Sequence, residues 1–148
     1  MPTYPEKLQE VLDDFAFVED RNERAALLME YADRFEDVPE AVATRPFPKE
    51  NHVARCESDA YVFSEELPDH RLKYHFAVEN PQGISARAMS VILDETASGA
   101  PLDEVSAIPC DIVFKIFGPE ISMGKGQGLM GIVSMVSDVA RDHLKREG

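Results

Sequence analysis

Cysteine is scarce in this sequence, basic residues are outnumbered, and no long apolar run occurs. The 148 residues include only two cysteines, Cys56 and Cys110. That excludes a small scaffold stapled by many disulfides. With no Cys-x-x-Cys it also argues against a structural zinc site or an iron–sulfur centre held by this chain's own thiolates. Both cysteines are expected as free thiols. Basic residues number 15 against 28 acidic ones, a formal net charge of −13, which repels a phosphate backbone and excludes nucleic acid as the expected partner. No stretch approaches the roughly 18 apolar residues of a membrane span. The opening MPTYPEKLQEVLDD has no basic region leading into apolar residues and no small-residue cleavage signal. A soluble protein is expected, cytoplasmic by default, with no membrane partner.

What is present is an ordinary globular composition, 44% hydrophobic. A chain of this length buries about two-thirds of its unfolded surface around one core, so residues 1–148 read as a single domain. Pro5 suits a first helical position, and Leu8, Val11, Leu12 and Phe15 line one helical face. Asp20, with Glu23 three residues on, resembles a capping box, and Leu27, Leu28, Tyr31 and Phe35 continue a second stripe. The spacing predicts a helix pair packed as a hairpin. From Glu36 to Glu50, Pro39, Pro46 and Pro48 predict a traversing loop.

The centre changes period. Val53, Tyr61, Val62 and Phe63 favour strand, and Leu72, Tyr74, Phe76 and Val78 alternate with Arg71, Lys73, His75 and Ala77. The short SEELPDH connection predicts neighbouring antiparallel strands in a small meander. Helical spacing then returns. Asn80-Pro81 reads as a cap with proline at the first position, followed by Ile84, Ala88, Val91 and Ile92 and closed by Gly99. Short helices are predicted around Leu102 to Ala107 and Ile112 to Phe117. A final helix carries Leu129, Ile132, Val133, Val136, Ala140 and Leu144, with Arg141, Lys145 and Arg146 near its negative end. Helices, then strands, then helices predict an α+β fold: an N-terminal helix pair, a small antiparallel β meander and C-terminal helices.

Two glycine patterns mislead. GQGLMG fits G-x-G-x-x-G through Gly126, Gly128 and Gly131, but a helix precedes it and no strand follows, so a dinucleotide site is not expected. GPEISMGKG resembles a phosphate loop, yet its glycine spacing is one residue too long and Gly126 stands where Ser or Thr should bind magnesium. It reads as a flexible entry to the last helix. His52 and Cys56 could share one side of a loop, but two ligands do not make a metal site. Residue types for a cysteine-nucleophile hydrolase are present without any local signature.

The thiols remain. Cys110, beside Pro109 and ahead of IVFKIF, reads as a small buried hydrophobe. Cys56 lies in NHVARCESDAYVF, residues 51 to 63, between polar residues ahead of a strand. There Arg55 favours a thiolate and Glu57 and Asp59 oppose it.

The run VARCESDAY resembles the active-site segment of the SufE family of sulfur-acceptor proteins, usually Val-x-Gly-Cys-x-Ser-x-x-Trp, with Val53, Cys56 and Ser58 in register. The helix pair, RLKYHFAVENPQGISARAMSVIL, SGAPLDEV and ISMGKGQGLMGIVSMV extend the resemblance along most of the chain. The family's glycine is replaced by Arg55, its tryptophan by Tyr61, and the arginine of its late Ser-Pro-x-Arg-x-x-Gly-Leu segment by Lys125, which keeps the charge and loses the guanidinium fork.

The resemblance implies a SufE/IscU-like fold and a persulfide relay through Cys56. A SufS-like cysteine desulfurase, which uses pyridoxal phosphate, would supply the sulfur. A SufBCD-like iron–sulfur scaffold would receive it. This chain would bind no cofactor and no metal, would show no independent turnover, and would act as a monomer or homodimer. His52, Arg55, Ser58, Tyr61, Lys125, Gln127 and Gly128 are supporting or partner-contact candidates on the same basis. The alternative is a non-catalytic binding or regulatory module docking on a desulfurase or scaffold through its acidic surface, since Glu6 to Glu40 holds twelve acids against four basic residues.

Overall fold

The structure is a computed structural model that describes residues 3–147. Its elements are α1 (Glu6–Ala16), α2 (Arg21–Asp33), a short 3-10 turn (Lys49–Asn51), β1 (Ala60–Glu66), β2 (Leu72–Val78), α3 (Ile84–Ala97), α4 (Leu102–Ser106), α5 (Ile112–Phe117) and α6 (Met123–Glu147). The predicted α+β order is present, with each element where the periodicity placed it to within a few residues.

At the centre is α3. Ala86, Ala88 and Met89 through Leu93 are buried along it, which is the pattern of a helix surrounded by protein. α1, α2, α6 and β2 all pack against it. The expected α1–α2 hairpin is therefore corrected in its packing: each helix docks chiefly on α3, because α3 supplies the apolar surface for both stripes. The two meet where the Phe15 and Tyr31 rings stack at 6.1 Å. Asp20 caps α2 as predicted, its side chain accepting from the Asn22 amide at 3.0 Å.

Arg24 of α2 ties two helix ends together. Its guanidinium donates to the carbonyls of Ile116 (2.7 Å), Lys115 (3.2 Å), Val18 (3.2 Å) and Phe15 (3.4 Å), the C-terminal ends of α5 and α1. It also lies 5.8 Å from the Phe15 ring centre. The Lys115 and Ile116 carbonyls are in the last turn of α5, which has no internal donors for them, and Phe15 and Val18 lie at and just beyond the end of α1, so one cation serves both ends.

Among the described residues the sheet is a two-stranded antiparallel hairpin, smaller than the predicted meander, running from Ala60↔Val78 to Glu66↔Leu72. Ala60, Val62, Leu72, Tyr74, Phe76 and Val78 face the main core. The other face is covered too: Val38, Val42, Ala43 and Phe47 of the proline-rich loop pack on Phe63, Ala77 and Tyr61. The Val38 amide extends the ladder by donating to the Phe76 carbonyl at 2.9 Å. That cover is why Ala77, assigned to the exposed side by alternation, is fully buried.

Two helix starts differ from expectation. α3 begins after Gly83, not at the Asn80-Pro81 pair; Asn80 instead forms a turn, its side chain accepting from the Gln82 amide at 2.9 Å. α6 begins at Met123, so the second part of the supposed flexible entry Gly118 to Gly126, from Met123 on, is already its first turn. No helix among the described residues is long and apolar enough to cross a membrane.

Candidate functional site

Cys56 sits in the tight passage between the 3-10 turn and β1. Residues 53–59 are held at both ends by backbone hydrogen bonds. The Val53 amide donates to the Ala60 carbonyl (2.9 Å), and the Asp59 amide to Cys56 (3.1 Å). The Asn80 and Glu79 amides donate to Ser58 (3.1 Å) and Asp59 (3.2 Å). Two non-glycine residues of this passage adopt the left-handed conformation, Arg55 at φ 61° and Asp59 at φ 51°. They bracket Cys56 and let the chain reverse twice within a few residues.

The passage rests on the glycine face of α6. A Cβ on Gly128 would stand 3.1 Å from the Cys56 Cα and 3.2 Å from the Arg55 carbonyl oxygen. One on Gly131 would stand 2.8 Å from a Val53 methyl and 3.3 Å from the Ala54 carbonyl oxygen. At these two positions the glycines are required by close backbone approach. On the opposite side Gly83 packs against Ser58, where a Cβ would lie 2.9 Å from the side-chain atoms of both Ser58 and Val78. Two of the three glycines that mimicked a nucleotide fingerprint, Gly128 and Gly131, therefore have a packing role, whereas a Cβ on Gly126 would meet only ordinary contacts.

Cys56 is 8% exposed and borders a half-open cavity of about 220 Å³ bounded by the passage, the start of α3 and the start of α6. Ser58, Lys125 and Gly128, which the sequence singled out, line it with Cys56. The remaining candidates are placed elsewhere. The His52 ring nitrogen lies 3.1 Å from the Asp59 carboxylate, and the ring packs 4.9 Å from that of Tyr61. Tyr61 itself joins Phe47 and Phe63 on the outer face of the hairpin. Arg55 reaches α6 through its carbonyl, its side chain being exposed. Gln127 is exposed and outside the cavity wall.

Sequence reasoning missed the third wall: Gln82, Gly83, Ile84, Ser85 and Ala86. Their one legible signal was the start of a helix, and nothing local ties it to a cysteine far earlier in the chain. The reading of the two thiols is also corrected. Cys56 is the buried one, while Cys110 is half-exposed, because it falls in the turn between α4 and α5 and not on an inward face. Among the described residues no group of three or more His, Cys, Asp or Glu side chains is placed to hold a metal ion.

The cavity's electrostatics come from few groups. Glu57 and Lys125 contribute one charge of each sign. The N-termini of α3 and α6, both opening here, add partial positive charge.

The family described as "SufE: Fe-S metabolism associated domain" matches residues 9–140. Among solved structures, the solution structure of a hypothetical protein from Thermus thermophilus is similar with a TM-score of 0.74 and 20% identity. The match covers 97% of this chain and 99% of that one, and at that identity the likeness is one of fold. No curated protein matches.

Proposed function

This chain belongs to the SufE family, and so to Fe–S metabolism, and from that premise we propose that Cys56 accepts sulfur from a cysteine desulfurase and carries it to an iron–sulfur assembly scaffold. The Cys56 thiolate attacks the outer sulfur of a donor persulfide, R–S–SH. One S–S bond forms to Cys56, the donor's S–S bond breaks, and the donor leaves as a thiolate. Delivery repeats the exchange: an acceptor thiolate attacks the sulfur carried on Cys56, which departs as the thiolate. No electrons are gained or lost overall. The desulfurase's pyridoxal phosphate generates the first persulfide, and this chain contributes only the thiol and its surroundings.

The observation that supports this reading is the convergence of Cys56, Ser58, Lys125 and Gly128 on one cavity, although Lys125 and Gly128 lie far along the chain from the cysteine. Burial of Cys56 suits a carrier whose cargo small thiols would otherwise strip. It also means that residues 53–59 must leave the α6 face before Cys56 reaches a partner's sulfur.

The test is intact-protein mass spectrometry after incubation with a cysteine desulfurase, pyridoxal phosphate and L-cysteine, followed by peptide mapping. Reductant-reversible sulfur at Cys56, retained in Cys110→Ser and lost in Cys56→Ser, is expected. Undiminished sulfur uptake by folded Cys56→Ser would overturn the assignment. No uptake by the wild-type chain with an active desulfurase would favour a binding module.

A further inference from the structure

The passage that carries Cys56 stands on a fixed base. His52 forms an isolated antiparallel bridge with Tyr61, the Val53 amide donates to the Ala60 carbonyl at 2.9 Å, and Val53 and Ala60 are buried. Above this base Ala54, Arg55 and Glu57 are exposed. Movement of Cys56 away from α6 therefore turns on the neck of the passage and not on the strands below it.

At that neck Asp59 stands in the left-handed conformation, φ 51°, directly before β1. A residue with a Cβ keeps such a conformation where its surroundings fix it. Two backbone bonds do part of this, from the Asp59 amide to the Cys56 carbonyl (3.1 Å) and from the Glu79 amide to the Asp59 carbonyl (3.2 Å). The carboxylate does more. Its Oδ1 lies 3.1 Å from Nε2 of His52, seven residues back on the other side of the neck. A carboxylate offers only acceptors, so this ring nitrogen carries the hydrogen and donates it. The imidazole is held in its turn. Its ring packs 4.9 Å from that of Tyr61, and Tyr61 lies 5.0 Å from Phe47 of the covering loop.

Resting on the reading of Cys56 as a sulfur carrier, we propose that the His52–Asp59 pair is the latch of the passage, which makes His52 a positioning residue for sulfur transfer. While the pair is made, Asp59 keeps its left-handed turn and Cys56 stays against α6. When it parts, Asp59 relaxes to an ordinary backbone conformation and the passage swings outward with its thiol. The side chains of His52 and Asp59 are 35% and 61% exposed, so their contact contributes little to global stability. The latch opens with β1 still paired to β2 and the core intact, a local opening distinct from unfolding.

Timed alkylation of Cys56 in native buffer, in the full chain carrying Cys110→Ser, reads the open fraction without any desulfurase. His52→Ala and Asp59→Asn are compared alone and together. Asparagine tolerates the left-handed conformation, so the second variant removes the charge and keeps the backbone preference. Each single variant should be alkylated about threefold to fivefold faster than the parent. The double variant should be no faster than the quicker single, because each removes the same contact. His52→Gln, whose amide nitrogen donates from the place of Nε2, should restore part of the slow rate, and urea unfolding should move little throughout. Rates equal to the parent's, or two accelerations that multiply in the double variant, would overturn the latch. So would faster alkylation matched by an equal loss of global stability. The relay fails by a different result: a chain that follows this alkylation pattern yet takes no sulfur from an active desulfurase upholds the latch and sinks the relay.

Discussion

Gly128 and Cys56 are in backbone contact across the join between α6 and the passage into β1, with 3.1 Å between the Cys56 Cα and the place a Gly128 Cβ would take. A methyl group there must move the passage or the helix. Gly128→Ala gains about 1 kcal/mol of helix propensity and loses about 1–3 kcal/mol to overpacking. A net destabilisation of about 1 kcal/mol is expected, together with faster alkylation of Cys56. At Gly124 a Cβ meets nothing within 4 Å, so Gly124→Ala should be neutral or stabilising by up to about 1 kcal/mol. Urea unfolding and timed alkylation of both variants check the pair. Equal behaviour would contradict the packing role of the glycine face.

Arg55 holds a left-handed conformation that costs a non-glycine residue about 1–2 kcal/mol. Arg55→Gly relieves this and gives back part of it as unfolded-chain entropy. A stability gain of about 0.5–1 kcal/mol by urea denaturation is expected. A loss would mean that the exposed guanidinium contributes more than the backbone strain costs.

Arg24 binds the carbonyl ends of α1 and α5 through four contacts. Hydrogen bonds involving a charged group contribute about 1.5–3 kcal/mol, so Arg24→Ala should destabilise by about 2–3 kcal/mol. Arg24→Lys should recover little, because an ammonium lacks the planar fork that spans both helix ends. Thermal unfolding of the two variants would show the difference.

Tyr74 is fully buried and its hydroxyl has no hydrogen-bond partner among the described residues. Burial alone pushes its phenol far above the ordinary value of 10.0. The folded pKa is raised, so the stability is fully present below pH 10 and is lost as pH rises beyond it. There the unfolded chain releases a proton that the folded one keeps. The slope is about −1.4 kcal/mol per pH unit for this group. Tyr31, shifted upward by burial first and Glu95 second, acts in the same direction. Tyr74→Phe should raise stability at neutral pH by about 1 kcal/mol, since an unsatisfied buried hydroxyl is costly, and should shallow the alkaline fall. Denaturant titrations at neutral pH and above pH 10 check both. An unchanged alkaline slope would show that other groups set it.

The order and type of the elements were legible because apolar spacing is a local property. Leu8, Leu12 and Phe15 declare a buried helical face without reference to the rest of the chain, and all three are core residues. The capping role of Asp20 was legible for the same reason. What failed was anything set by a partner distant in sequence. Ala77 is buried because the proline-rich loop covers it, and α1 and α2 lie as they do because α3 is between partners on several sides.

The same division runs through the site. By itself the sequence determined the rarity of thiols and the polar setting of Cys56, since these depend only on residue type and spacing, and its resemblance to the SufE family pointed to Ser58, Lys125 and Gly128. Only the tertiary structure decided that Cys56 is the buried thiol, that His52 and Tyr61 belong to the far face of the hairpin, and that α3 and α6 both begin at the cavity. A cavity is a relation among surfaces that packing brings together. The absence of a Cβ at Gly128 acquires meaning only when the Cys56 backbone lies against it.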